Sequence, residues 1–215
     1  MRVKAEIEIV TGLLGTGKTS FINELLNRTL VAGEKVLVIQ CEEGEKGLQE
    51  KFKSKSKVIT KQFNPSKTLT SAYLKQMIDF YNPHRIIIEQ NGMKLLDETL
   101  NVVNALEEYC LEPVVYNLTD ALTFEVFFNN MKDLIAPFIV HSNLIVLNNC
   151  SSLTKENKSS LLKQIELLNS SAFVIPLRDI TELNSSLRKQ GVFSRGIVKT
   201  FSIRIKNNVV RWSKK

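Results

Sequence analysis

Apolar and polar positions change period along this chain so that strand patterns alternate with helix patterns. Ala5, Ile7 and Ile9 alternate with Lys4, Glu6 and Glu8, a strand signature, and beyond a glycine-rich turn Phe21, Ile22, Leu25, Leu26 and Leu30 share one helical face. Residues 35–40 (KVLVIQ), set off from that helix by Ala32 and Gly33, predict a second strand buried on both faces. A short strand is expected at Val58 to Thr60. Asn64, Pro65 and Ser66 then open a helix with the expected face Leu69, Ala72, Tyr73, Met77 and Phe80, which Asn82 and Pro83 stop. Arg85-Ile86-Ile87-Ile88-Glu89 follows as a buried strand with a carboxylate at its end.

The remainder repeats the alternation. Leu96, Leu100, Val103 and Leu106, extended by Tyr109, make a helix face; residues 113–118 make a strand. Phe124, Phe127, Phe128, Met131, Leu134 and Ile135 make an aromatic-rich helix face, read as core in preference to a partner surface. Residues 143–147 are another strand, Leu161, Leu162, Ile165 and Leu168 another helix face, and residues 172–175 a strand closed by Pro176. This spacing predicts an α/β fold with a doubly wound, mostly parallel sheet. Near the end, Phe201, Ile203 and Ile205 alternate with polar residues, and Val209, Val210 and Trp212 follow Asn207-Asn208, the pattern of a short β-hairpin.

Between the first strand and the first helix stands Gly12-Leu13-Leu14-Gly15-Thr16-Gly17-Lys18-Thr19, which fits G-x-x-x-x-G-K-[ST]. Glycines let such a loop wrap with its N–H groups inward around phosphate oxygens, and the helix that begins there adds its positive end. Gly12, Leu14, Gly15, Thr16, Gly17, Lys18, Thr19 and Ser20 are thus candidate nucleotide contacts. Lys18 would reach the β- and γ-phosphates and Thr19 would hold Mg²⁺. Carboxylates follow two strand ends, in Cys41-Glu42-Glu43-Gly44-Glu45 and in Glu89-Gln90-Asn91-Gly92. Open parallel sheets bind ligands at that edge, so Glu42 and Glu89 are candidates for the metal and the Gly92 N–H for a γ-phosphate. The same Glu42 cluster also reads as a charged turn capping the next helix. Residues 1–196 are read as one nucleotide-binding domain, and 197–215 as hairpin and basic tail.

Composition narrows the class. No apolar run approaches a membrane span, and the first strand is too short and charged for a signal peptide, so a cytoplasmic protein is expected. The formal charge of +7 sits largely in lysines 51–61 and in the tail from Lys199, which read as solvated segments; no nucleic-acid-reading element is present. Cys41, Cys110 and Cys150 include no C-x-x-C pair, which suggests neither a disulfide framework nor a zinc knuckle. Arg85, Arg178, Arg188, Arg195, Arg204 and Arg211 form no compact cluster, which disfavours a kinase lid.

These motifs resemble the CobW/UreG/HypB group of P-loop GTPases, most closely the CobW branch, which is linked to metal insertion and cofactor assembly. That branch commonly reads GFLGAGKTT where this chain has GLLGTGKTS. Its N-E-F-G-E is matched by Cys41-Glu42-Glu43-Gly44-Glu45, its E-x-x-G by Glu89 to Gly92, and its V-V-D-A resembles Asn117-Leu118-Thr119-Asp120-Ala121. The resemblance implies phosphate on Lys18, Mg²⁺ on Thr19, Glu42 and Glu89 in the metal shell, and Gly92 as γ-phosphate sensor. It also implies GTP as ligand and a client metalloenzyme or cofactor-assembly protein as partner. A homodimer or other partner would complete a slow site, with Gln90 a candidate for orienting the attacking water alongside Lys18 and Glu89.

Three departures qualify that implication. The family's C-x-C-C motif is missing, since Glu43 to Ile88 holds no cysteine, so a second transition metal such as Zn²⁺ or Co²⁺ is doubtful. Cys41 could offer one thiolate, or simply be a small buried residue. The guanine signature N-K-x-D is Asn148-Asn149-Cys150-Ser151; losing the aspartate forfeits about two to three decades of guanine preference, which admits ATP and leaves Asn148 as the candidate contact to the base. The family's C-terminal domain has only the 197–215 hairpin as counterpart. A non-catalytic nucleotide-binding module is the alternative to a switch.

Overall fold

The computed structural model describes residues 3–42, 47–54 and 58–191. Seven strands, β1 (Glu6–Thr11), β2 (Val36–Gln40), β3 (Val58–Gln62), β4 (Arg85–Glu89), β5 (Val114–Asp120), β6 (Leu144–Asn148) and β7 (Phe173–Pro176), form one sheet in the order β3-β2-β4-β1-β5-β6-β7. All the pairings are parallel. The expected doubly wound sheet is therefore present, and the C-terminal hairpin lies outside the described residues. Because β1 lies between β4 and β5, its carboxyl end is where the winding changes side, the place at which such sheets bind ligands.

Period-two alternation dresses both faces. Ile7 and Ile9, Leu37 and Ile39, Ile86 and Ile88, and Ile145 and Leu147 point to one core; Val10, Val36, Val38, Ile87, Leu118 and Val146 point to the other. The first core is covered by α3 (Ser71–Tyr81), α4 (Leu96–Asn104), α5 (Phe124–Asn130), α6 (Lys132–Val140) and α7 (Lys155–Leu168). The second is covered by α1 (Lys18–Thr29), α2 (Glu50–Ser54) and α8 (Leu183–Lys189). No helix among the described residues is long and apolar enough to cross a membrane.

Three expectations about helices are corrected. The helix expected from residue 64 begins at Ser71, where the Thr70 hydroxyl accepts from the Tyr73 N–H. Asn64 instead closes a local turn, its side chain accepting from the Ser66 N–H at 2.9 Å, so Pro65 sits in that turn and the helix phase is set later. Its buried residues are Leu74 and Ile78, while Phe80 is 77% exposed. Second, the phenylalanine-rich run is two helices broken at Met131 (φ −136°, ψ 46°). Asn130 turns its amide back onto the Val126 carbonyl at 2.7 Å, the local competition that makes asparagine a poor helix interior. Third, α8 was not expected, although Leu183 and Leu187 at helical spacing bury it against the α1 face.

At the amino end of the sheet, Arg85 is fully buried. Its guanidinium lies 3.3 Å from Glu34 and 3.5 Å from Glu8, and donates to the Thr29 hydroxyl at 2.7 Å. Tyr116 donates to Glu8 at 3.1 Å, and burial together with that carboxylate pushes the phenol pKa up. This cluster ties the last turn of α1 to β1, β4 and β5, and so fixes the far end of the helix that starts at the phosphate loop.

Candidate nucleotide site

The loop after β1 is shaped by backbone that only glycine tolerates. Gly12 has φ +132°, and a Cβ there would run into the Leu118 carbonyl of the adjacent strand. Thr16 closes the loop by donating its hydroxyl to the Leu13 carbonyl at 2.8 Å. Gly15 and Leu14 are exposed, Leu14 at 63%, so both stand at the outer surface of the loop. Gly17 caps α1, and the first turn of that helix holds no acidic residue, which leaves its positive end available to an anion. Ser20 sits half-buried in the same turn.

Lys18 opens α1 and is 4% exposed. Its ammonium donates to the carbonyls of Gly12 at 2.8 Å and Leu13 at 2.9 Å, and meets Glu42 Oε2 at 2.5 Å. The other Glu42 oxygen accepts the Gly92 N–H at 3.3 Å. Gly92 packs backbone to backbone on the loop: a Cβ there would lie 2.5 Å from the Gly12 oxygen and 2.8 Å from the Leu13 Cα. Close approach is thus the physical reason for glycine at this position.

Thr19, next on α1, donates its hydroxyl to Glu89 Oε1 at 2.5 Å, while Gln40 Nε2 donates to Glu89 Oε2 at 2.6 Å. Gln40 and Glu89 are in register on neighbouring strands, so their side chains leave the sheet on the same face as α1. With its proton on Glu89, the Thr19 oxygen keeps its lone pairs for a cation, and a hydroxyl beside a carboxylate is an oxygen set that suits Mg²⁺. Among the described residues no three His, Cys, Asp or Glu side chains converge as a ready metal cage. Mg²⁺ does not require one, since it keeps waters and shares substrate phosphates.

The structure therefore brings Gly12, Thr16, Lys18, Thr19, Glu42, Glu89 and Gly92 together. It does not bring Gln90, which is 2% exposed and donates to the carbonyls of Lys94 and Leu95, lining a cavity with Cys41, Phe63 and Leu69. Burial pushes the Cys41 thiol up to about 12, with Glu89 and then Glu42 adding to the effect, so it stays protonated near neutrality. Glu43 and Glu45 lie outside the described residues. Gln40 was missed in the sequence, although a polar residue closing an apolar strand at the ligand-binding edge was a usable signal.

On the base side, Asn148 ends β6 at 7% exposure, and its side-chain oxygen accepts from the Asn149 N–H at 2.9 Å. Asn149, with φ +60°, donates its amide to Asp120 at 2.9 Å, and Asp120 also accepts the Leu122 N–H at 2.8 Å. The Ser151 hydroxyl donates to the Arg178 carbonyl at 3.0 Å. The turn is firmly built, and the Ser151 hydroxyl is spent on that carbonyl.

No curated protein matches the chain. In fold it is similar to the Zn(II)-bound YjiA GTPase from E. coli, with 21% identity and a TM-score of 0.56 over 80% of this chain and 57% of that one. The chain thus spans little more than half of that protein's length. It is also similar to the hydrogenase maturation factor HypB from Archaeoglobus fulgidus, with 13% identity and a TM-score of 0.56 over 88% of this chain and 90% of that one. HypB from Helicobacter pylori in complex with nickel aligns with 12% identity and a TM-score of 0.51 over 89% of this chain and 87% of that one. At these identities the likeness is one of fold. The family model for the CobW/HypB/UreG nucleotide-binding domain matches residues 6–176, and with that match the chain belongs to the CobW/HypB/UreG family of P-loop proteins.

Proposed function

We propose that the protein is a magnesium-dependent nucleoside triphosphate switch that binds GTP, with ATP as the alternative, hydrolyses it slowly, and assists metal or cofactor insertion into a partner metalloenzyme. The observation that carries the nucleotide part is the convergence of Lys18 and Thr19 from α1 with Glu89 and Gly92 from the end of β4 at the sheet's switch point. In this reading the loop amides from Gly12 to Thr19 hold the phosphates and Lys18 neutralises the β- and γ-groups. The Thr19 oxygen takes Mg²⁺, Glu89 keeps that hydroxyl oriented, and Gln40 keeps Glu89 oriented. Bound there, Mg²⁺ supplies charge neutralisation of the phosphates. Asn148 is the residue that would contact the base.

Hydrolysis by the isolated chain is expected on the order of 10⁻³ per second or below, because Gln90 is turned into the core and away from Lys18. The client rests on the family and on its neighbours, among them a hydrogenase maturation factor and zinc- and nickel-bound forms. A switch driven by triphosphate works where the nucleotide pool is, which points to the cytoplasm.

Calorimetric titration with GTP and with ATP, each with Mg²⁺, tests the reading when followed by phosphate release. Lys18→Ala should weaken triphosphate binding at least about a hundredfold and abolish turnover. Binding that Lys18→Ala leaves intact would place the nucleotide elsewhere. The buried Gln90 favours a second reading, a non-catalytic nucleotide-binding module. Tight Mg²⁺-dependent binding without phosphate release would decide for it.

A further inference from the structure

Glu42 is expected in the metal shell, yet both of its oxygens are engaged elsewhere. Oε2 holds the Lys18 ammonium at 2.5 Å and Oε1 holds the Gly92 N–H at 3.3 Å. The side chain is 12% exposed and the lysine 3%, so this is a pair largely withdrawn from solvent screening. Those two donors are the ones assigned to a terminal phosphate: a cation at the end of the loop and a backbone amide held against it. A carboxylate that bridges them is chemically a small anion standing in for that phosphate.

We propose that Glu42 is a specificity-determining latch that makes the site select triphosphate over diphosphate. The proposal rests on the nucleotide reading above. A γ-phosphate brings more charge and three acceptor oxygens to the same two donors, so it exchanges one set of charge-assisted bonds for another and displaces the carboxylate. A diphosphate ends short of the Gly92 amide. It leaves the bridge to that amide in place and shares Lys18 with a carboxylate of its own sign, and the resulting repulsion lowers its affinity. Triphosphate binding also releases Glu42 from the loop. The same carboxylate then becomes available to a cation only in the triphosphate state.

A metal-free titration separates the two roles of Glu42, because a residue that acts only as a metal ligand leaves affinity unchanged there and the latch does not. Fluorescent analogues of the tighter-binding nucleotide, as triphosphate and as diphosphate, would be titrated in EDTA and in Mg²⁺ against the full chain, Glu42→Gln and Glu42→Ala. In EDTA both variants should bind the diphosphate about tenfold more tightly than the parent, with the triphosphate gaining no more than about threefold. Glu42→Gln keeps the shape of the side chain, and a thermal melt of each variant checks that it folds. An unchanged or weaker diphosphate affinity in EDTA, or an equal gain for the triphosphate, would overturn the latch. Absence of any binding by all three proteins in Mg²⁺ would instead overturn the nucleotide reading on which it rests.

Discussion

Gly92 shows how a single residue joins the switch segment to the phosphate loop. The hypothetical Cβ at that position meets main-chain atoms of Gly12 and Leu13, and main chain cannot move aside as the end of a flexible side chain can. Gly92→Ala should therefore cost about 1 to 3 kcal/mol of stability, read from urea unfolding, and should push the E-x-x-G turn off the loop. An undiminished midpoint would show that the two backbones are not held this close. The phosphate-loop residues were legible in the sequence because their geometry is local: eight consecutive positions specify one wrapped turn. Glu89 was legible as the carboxylate ending an apolar run. The partners of Glu42 and the part played by Gln40 were not, since each depends on a strand pairing between residues about 50 apart in sequence.

Elements follow the same division between local and non-local causes. The seven strands were all visible, β2, β4 and β6 most plainly because a run buried on both faces needs no neighbour to declare itself. Helix α3 was placed too early, since Asn64 and Pro65 form a turn that imitates a helix start and the cap at Thr70 is decided by one hydroxyl. The short α8 escaped notice because two leucines make a weak periodic signal, and only its docking on the α1 face explains it. The buried cluster around Arg85 is the element-scale counterpart of the site. Arg85→Ala would leave Glu8 and Glu34 without their counter-charge in a region where Arg85 has no exposure, and truncating one member of a buried pair costs about 3 to 5 kcal/mol. Chemical denaturation of Arg85→Ala should show a loss of that size. A loss below about 1 kcal/mol would mean that water reaches the cluster and screens it.

At the scale of the whole molecule, alternation along the chain specified a doubly wound sheet but not its strand order. Order depends on which strands pair, and β1 reaches β4 and β5 across long separations that no local pattern encodes. That order has a thermodynamic consequence, because it gathers the ends of β1, β2, β4 and β6 at one edge, where a nucleotide would contact loops from both halves of the sheet. A ligand that binds only the folded chain adds RT ln(1 + [L]/Kd), about 2.7 kcal/mol at a hundred times its Kd. For a chain of this size that corresponds to a rise of about 5 to 11 °C in the melting midpoint. The Mg²⁺·triphosphate should produce this shift in the parent protein and lose it in Lys18→Ala. Arg85→Ala, altered at the opposite end of the sheet, should melt lower yet keep the ligand-induced increment, since distant and independent contributions add. If Arg85→Ala lost the increment as well, the buried cluster would be setting the pitch of α1, and with it the phosphate loop at the other end of that helix.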